Sequence, residues 1–216
     1  MYSNQTLKRK KRLLLAIQSI IKNNMKITLT IALMLISHIA IGQKIEISSK
    51  NGDSKELDGK SQMERIIKNY EKEIKNWIFT KKIYIDKNVI PFSHPVLTLN
   101  CNYLDNDLKQ LATFLHEQFH WFVASKIAEE ENAIKAFKEL FPEVPVEAGL
   151  GARNEYSTYL HLIVCDMEFQ ALTKLIGENS ARQLLAKWTH YTWIYKTVLE
   201  HKQVREINIR YGFIIP

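Results

Sequence analysis

Two histidines separated by three residues, His116 and His120, constrain the fold of this chain more than any other feature. Residues four positions apart lie on one face of a helix, one turn above each other, so both imidazoles can reach a single metal ion. Glu117 follows the first histidine and points to the side, toward the position of a metal-bound water. Apart from Glu117, the stretch from Thr113 to Phe122 is uncharged and mostly apolar. Such a helix can carry two ligands through the middle of a core.

The stretch contains the pattern HExxH, in which two histidines bind zinc and the glutamate acts as general base. It resembles the extended signature of the zincin metallopeptidases and, within them, of the gluzincins, whose third zinc ligand is a glutamate on a later helix. The metzincin continuation Gly-x-x-His is absent from Trp121 to Lys126. The resemblance covers the decapeptide from Thr113 to Phe122, with a looser match in helix order. A buried helix whose histidines only hydrogen-bond to neighbours is the alternative.

A third ligand is expected on the next long helix, which is predicted from about Asn154 to Ile176. Glu168 ranks first, because the gluzincin ligand is a helical glutamate and the small Ala171 follows one turn later. His161 ranks second, since an imidazole in so apolar a stretch needs a reason to be buried. Glu155 ranks third, because an acidic residue is favoured in a first helical turn in any case. The candidate that does not bind the metal can orient a motif histidine instead.

A donor that stabilises the tetrahedral oxyanion is also implied by the resemblance to zincins. Tyr195 and His190 are the preferred candidates, and Tyr191 and His201 are further ones, because no spacing rule selects among them. In zincins the strand before the active helix pairs with extended substrate. The segment from Leu97 to Asn102 is therefore the candidate peptide-binding edge.

The function that these features predict is an exported zinc metallopeptidase with a peptide or protein substrate. The zinc ion polarises a water, Glu117 takes its proton, and the proton passes to the leaving amine. One alternative is an exported binding or assembly protein that keeps the zincin scaffold without turnover. Another is a hydrolase of a non-peptide amide in the cell envelope.

The fold class predicted from periodicity and resemblance is α+β, zincin-like and mostly helical, with a small sheet preceding the active-site helix. Strands are predicted at Lys44–Ser48, Lys82–Asp86 and Val96–Cys101. Helices are predicted from the capping box at Ser61 to about Phe79, from Leu108, from Glu129 to Phe141, from Asn154 to Ile176, and from the cap Ser180 to Leu199. The alternating segment from Val204 to Ile209 is predicted as an edge strand or a packed tail.

The first 42 residues predict export rather than a folded element. Residues 1–24 form a basic upstream extension that need not be translated, and residues 25–42 resemble a signal peptide with an apolar run ending at Gly42. The apolar run is shorter than the ~20 residues of a membrane span. The metallopeptidase domain is expected at 43–216, secreted or periplasmic. An uncleaved membrane anchor is the alternative, and membrane contact is expected only through this segment.

The positive net charge of +7 comes entirely from this leader. Residues 1–42 contain seven lysines and arginines and no acidic residue, which leaves 23 basic and 23 acidic residues in the rest. The basic pI is therefore no argument for nucleic-acid binding, and no nucleic-acid partner is expected. Export would allow Cys101 and Cys165 to form a disulfide, with two buried thiols as the alternative.

Overall fold

Three short parallel strands precede the HExxH helix in the computed structural model, which describes residues 45–215. They are β1 (Glu46–Ser49), β2 (Lys82–Ile85) and β3 (Leu97–Leu99), in the sheet order β1-β2-β3. The predicted α+β class and the small sheet before the motif helix are confirmed. The predicted extension and signal peptide lie outside the described residues.

Helices make up most of the described chain. They are α1 (Ser54–Ile74), continued by a 3-10 turn (Lys75–Trp77), then α2 (Asp107–Ala124), α3 (Ile127–Leu140), α4 (Glu155–Ile176), α5 (Glu178–Leu185), α6 (Thr192–Glu200) and α7 (Lys202–Arg210). Helix α4 is central, because it packs against every other helix from α2 to α7. Every residue from His161 to Leu172 is buried. None of the described helices is both long and apolar enough to span a bilayer.

The two helices that carry the histidines begin where the sequence predicts. The side chain of Asn106 accepts a hydrogen bond from the Lys109 amide at 3.0 Å and caps α2. Asn154 caps α4 in the same way, accepting from the Ser157 amide at 2.8 Å. Helix α4 ends at Ile176 and is followed by Gly177, whose positive φ of +81° is readily adopted by glycine.

The start of α1 was predicted too late. The helix begins directly after Asp53, whose carboxylate accepts from the Glu56 amide at 3.2 Å. Ser61, the predicted cap, lies inside the helix, where its hydroxyl donates to the Leu57 carbonyl at 2.9 Å. An aspartate that follows the turn at Gly52 is an equally good cap, and it sets the earlier start.

The carboxyl-terminal part of the chain differs most from its prediction. The single helix expected from Ser180 to Leu199 is two helices, and Ser180 lies inside α5. The break ends at Tyr191, which has a left-handed φ of +55°. The predicted strand or tail at Val204–Ile209 is wrong as well, because this segment belongs to helix α7. Val204, Ile207 and Asn208 are buried there, at the spacing of a helix face.

The expected peptide-binding edge of β3 is already occupied. The Thr98 amide donates to the Phe92 carbonyl at 2.8 Å, and the Phe92 amide donates to the Thr98 carbonyl at 3.0 Å. Leu97 and Leu99 pair with β2 on the other side. The prediction of a free edge at this strand is therefore wrong, since the chain itself fills it. No disulfide joins Cys101 and Cys165, which are free, buried thiols.

Candidate metal centre

Three imidazoles from two helices converge on one point. His116 and His120 lie one turn apart on α2, and His161 projects from α4. Their ring centroids are 5.0, 5.4 and 4.9 Å apart. One ring nitrogen from each lies within 4.8 Å of the others, so the three side chains can hold a metal ion. His116 and His161 are buried, whereas His120 is partly exposed.

Two of these rings have an oxygen atom within hydrogen-bonding distance of the outer nitrogen, Nδ1. Nδ1 of His116 lies 3.0 Å from Oε2 of Glu168, and Nδ1 of His161 lies 2.6 Å from the carbonyl oxygen of Ser157. A ring that donates through Nδ1–H leaves its Nε2 lone pair free for a metal. His161 is thus held in the tautomer that binds metal through Nε2, because a carbonyl oxygen can only accept, and His116 takes the same tautomer when Glu168 is ionised.

The three histidines are neutral at physiological pH. Burial lowers the pKa of His116 to about 4. Burial, and then the neighbouring His116, lower the pKa of His161 to about 3. The pKa of His120 falls well below its usual value for the same reasons, with His161 and His94 adding to the effect. A neutral imidazole is the form that coordinates metals, so no proton has to be displaced from these rings.

Glu168, the first-ranked third ligand, lies behind His116. Its Oε2 accepts from the Tyr195 hydroxyl at 2.8 Å as well as facing Nδ1 of His116. Burial raises the pKa of Glu168 to about 8, while the hydrogen bond from Tyr195 opposes the increase. Glu168 also belongs to a second group of ligand-type atoms, with His116 and Cys165. The two groups share His116, whereas only the histidine group contains both motif histidines.

The remaining candidates for ligand or donor are placed apart from this cluster. Glu155 lies exposed in the first turn of α4 and belongs to neither metal-ligand group. His201 lies exposed between α6 and α7, with its ring 5.6 Å from that of Phe141. Neither residue is among those that line the cavity at the histidines.

A cavity of about 790 Å³ opens onto the three histidines. Glu117 lines the same cavity and is only 6 % exposed. Burial, together with the nearby charge of Glu168, raises the pKa of Glu117 to about 8. The motif glutamate and the histidines are therefore brought together on one wall, where the glutamate can exchange protons with a bound molecule.

Three candidate donors also line the cavity, namely His190, Tyr191 and Tyr195. The hydroxyl of Tyr195 is already directed at Glu168. The ring of Tyr191 lies 4.4 Å from that of His161, and burial raises the pKa of its hydroxyl to about 12, so that it stays protonated. The backbone beside Tyr191 is held by the loop between α3 and α4, since the amide and hydroxyl of Thr192 both donate to the Gly149 carbonyl at 2.9 Å.

The opposite face of α2 is fixed by a residue inside the motif. The Gln118 side chain is fully buried and accepts from the amides of Phe79 and Thr80 at 2.8 and 2.9 Å. It also donates to the Thr80 carbonyl at 2.9 Å. The amide thus anchors the motif helix to the segment between α1 and β2. Sequence reasoning treated Gln118 only as an uncharged neighbour.

Comparisons of the chain with protein-family models, curated proteins and solved structures found no match. The functional argument therefore rests on the geometry and chemistry of the site itself.

Proposed function

We propose that this chain is a zinc-dependent peptidase in which His116, His120 and His161 bind the metal and Glu117 is the general base. The observation that supports it best is the convergence of three neutral imidazoles on a cavity wall that also holds Glu117. A purely structural zinc site is closed by four protein ligands, whereas three leave a position for water or substrate. A purely structural zinc site also has no use for a buried carboxylate such as Glu117 beside the metal.

The donor set fits zinc. Three imidazole nitrogens suit zinc among the common metals, whereas calcium and magnesium require oxygen ligands. Glu168 fits the role of an outer carboxylate that fixes and polarises a ligand histidine, as in carboxylate–histidine–zinc triads. We therefore assign His161 as the third ligand and Glu168 as its support, which reverses the order expected from the gluzincin resemblance.

In the proposed mechanism each of the cavity residues has its own role. Zinc, when bound, supplies a Lewis acid that polarises water and the substrate carbonyl. The charge of bound zinc would lower the pKa of Glu117 from the raised value that burial gives it, and the ionised Glu117 can then accept the proton of the attacking water and return it to the leaving amine. His190 and Tyr191 offer hydrogen bonds to the carbonyl oxygen as it gains charge. Tyr195 acts one step away, through its hydrogen bond to Glu168.

The zincin-like architecture and export are part of the same proposal. The motif helix, the later ligand helix and the preceding small sheet support the first. The predicted signal peptide supports export, because a basic segment and a short apolar run precede a domain of neutral net charge.

The proposal is tested with the full-length chain, purified without a histidine tag. Elemental mass spectrometry should give about one zinc per chain in the wild type and in Glu117→Gln, and none in His120→Ala. A diverse peptide library should be hydrolysed by the wild type and by the control Glu139→Gln, an exposed glutamate on α3, but not by Glu117→Gln. Undiminished hydrolysis by Glu117→Gln would contradict the mechanism. Zinc without any hydrolysis would favour a metal-binding or assembly protein.

A further inference from the structure

A single cationic side chain lines the cavity within residues 45–215. Arg153 lies in the loop that leads into α4, and no lysine or other arginine accompanies it among the lining residues. The same cavity is lined by His116, His120 and His161, so Arg153 and the three histidines face one enclosed space.

Most other arginines within residues 45–215 form an ion pair with an acidic side chain of the same region, whereas Arg153 does not. The arginines that form ion pairs with acidic side chains are Arg65, Arg182 and Arg205. No carboxylate oxygen of residues 45–215 lies within 4.0 Å of Arg153, and none of their side chains or carbonyls accepts a hydrogen bond from it. An arginine that faces a cavity without a partner is available to an anionic ligand.

The backbone on which Arg153 lies is fixed on both sides. The Ala152 amide is buried and donates to the Thr158 hydroxyl at 2.9 Å. Gly151 packs so closely on Pro145 that a Cβ atom would collide with the proline carbonyl. Asn154, on the other side, caps α4. The guanidinium thus extends from an anchored position beside the helix that carries His161.

One acidic residue of the cavity already accepts a hydrogen bond from a neighbouring side chain. Glu130 is buried on α3 and lines the same cavity, where it accepts a hydrogen bond from the Tyr156 hydroxyl. It does not form an ion pair with Arg153. The two other carboxylates of the cavity, Glu117 and Glu168, are placed at the histidines. Arg153 is therefore left as the group that an incoming anion would meet.

We propose that Arg153 forms a subsite for a substrate carboxylate close to the amide bond that is cleaved. A guanidinium presents a planar fork of donors that matches a carboxylate with two parallel hydrogen bonds. The carboxylate is either the carboxyl terminus of the peptide or an aspartate or glutamate side chain. This inference rests on the proposed function, since it names the substrate class of the same site.

Binding of paired probes tests the subsite without requiring turnover. Each pair consists of two short hydroxamates of the same length, whose hydroxamate group binds zinc. One member ends in a carboxylate and the other in the corresponding carboxamide, and the pairs cover a short series of chain lengths. Calorimetry on the zinc-loaded, full-length wild type should show at least one pair in which the acid binds roughly tenfold or more tightly than the amide. This preference should disappear in Arg153→Ala and be reversed in Arg153→Glu.

Arg210→Ala is the matched control, because Arg210 is exposed at the end of α7 and away from the cavity. It should retain the full preference for the acid, and all variants should retain zinc. Equal affinity for acid and amide in wild type and Arg153→Ala would overturn the inference while leaving the metal centre intact. Failure of both probes of every pair to bind the zinc-loaded wild type would reject the inference together with the open zinc position that the proposed peptidase requires.

Peptide assays then separate the two sources of the carboxylate. Loss of cleavage on amidation of the peptide carboxyl terminus points to the terminal carboxylate. Dependence on an internal aspartate or glutamate, compared with asparagine or glutamine, points to the side chain. In both cases Arg153→Ala should abolish the difference. A preference for acidic probes without peptide cleavage would support the subsite and reject the peptidase.

Discussion

The Nδ1 nitrogen of His116 lies 3.0 Å from a carboxylate oxygen of Glu168, and this contact joins helices α2 and α4 at the candidate metal centre. The same oxygen accepts from the Tyr195 hydroxyl on α6 at 2.8 Å. Three helices thus share one carboxylate. In the proposed zinc site this carboxylate would orient the ring of His116 and increase its basicity, so contacts beyond the three histidines would help to organise the site.

Substitution of His161 and of Glu168 should have different effects on zinc. We expect His161→Ala to lose the metal, whereas Glu168→Ala should weaken zinc binding by about 10- to 100-fold, as removal of an outer partner does. Competition with a chromophoric chelator measures both affinities. Glu168→Gln is the milder control, because its amide oxygen can still accept from His116. Full zinc retention in His161→Ala with complete loss in Glu168→Ala would restore Glu168 as the ligand.

Two tyrosines of the cavity should be distinguishable by kinetics. Tyr191→Phe removes a hydroxyl that faces the cavity, and we expect kcat to fall by roughly 100-fold with little change in KM or zinc content. Tyr195→Phe removes a donor to Glu168, so we expect it mainly to weaken zinc binding. Steady-state kinetics and metal titration on both variants make the comparison. An unchanged kcat in Tyr191→Phe would leave His190 as the donor.

The buried carboxylate of Glu56 should make stability depend on acid pH. Burial raises its pKa, but hydrogen bonds from the amide and side chain of Asn51, and from the amides of Lys87 and Gly52, outweigh this and lower it below its usual 4.5. Because the pKa is lower in the folded state, the contribution is complete above the unfolded pKa and is lost as pH falls through the folded pKa.

Glu56→Gln should accordingly be less stable than the wild type by about 1–3 kcal/mol at neutral pH, because its amide group cannot accept all of these hydrogen bonds. The difference should narrow below about pH 4.5. Urea unfolding at several pH values measures it. Glu71→Gln, an exposed position on the same helix, is the control and should change little. A difference that stays constant with pH would contradict the interpretation.

Gly151 should tolerate no side chain. In Gly151→Ala the new Cβ would collide with the Pro145 carbonyl, so we expect a loss of about 1–3 kcal/mol in unfolding free energy. Gly177→Ala is the comparison, because a Cβ there meets nothing within 4 Å and only the left-handed φ opposes it. Thermal unfolding of both variants separates crowding from backbone strain. Equal losses in the two would mean that the collision is relieved by a small shift of the loop.

Local signals were sufficient for the helices that carry the site. Asn106 and Asn154 act through amides three residues away, so sequence alone places the starts of α2 and α4. The spacing of His116 and His120 likewise predicts their common face. His161 was among the predicted third ligands, because a buried imidazole in an apolar helix needs a polar partner or a metal.

Contacts between distant residues account for what the sequence did not reveal. Glu168 and His116 are 52 positions apart, so which candidate binds and which supports depends on how α2 and α4 pack. The break before α6 depends on hydrogen bonds from Thr192 to the Gly149 carbonyl, 43 positions away. Nothing local in a tyrosine predicts the left-handed backbone of Tyr191, since bulky residues rarely adopt it.

Arg153 and His161 are linked by the first two turns of α4, a rigid segment that rises roughly 10 Å. If the guanidinium holds a carboxylate while the scissile bond lies at the histidines, this helix acts as a ruler for the substrate. Chain length between the two groups would then be selected in discrete steps, because a peptide that is one residue too short or too long would miss one end. With a carboxyl terminus at Arg153 such an enzyme would release fragments of fixed size, whereas with an acidic side chain there it would cut at a fixed distance from that residue.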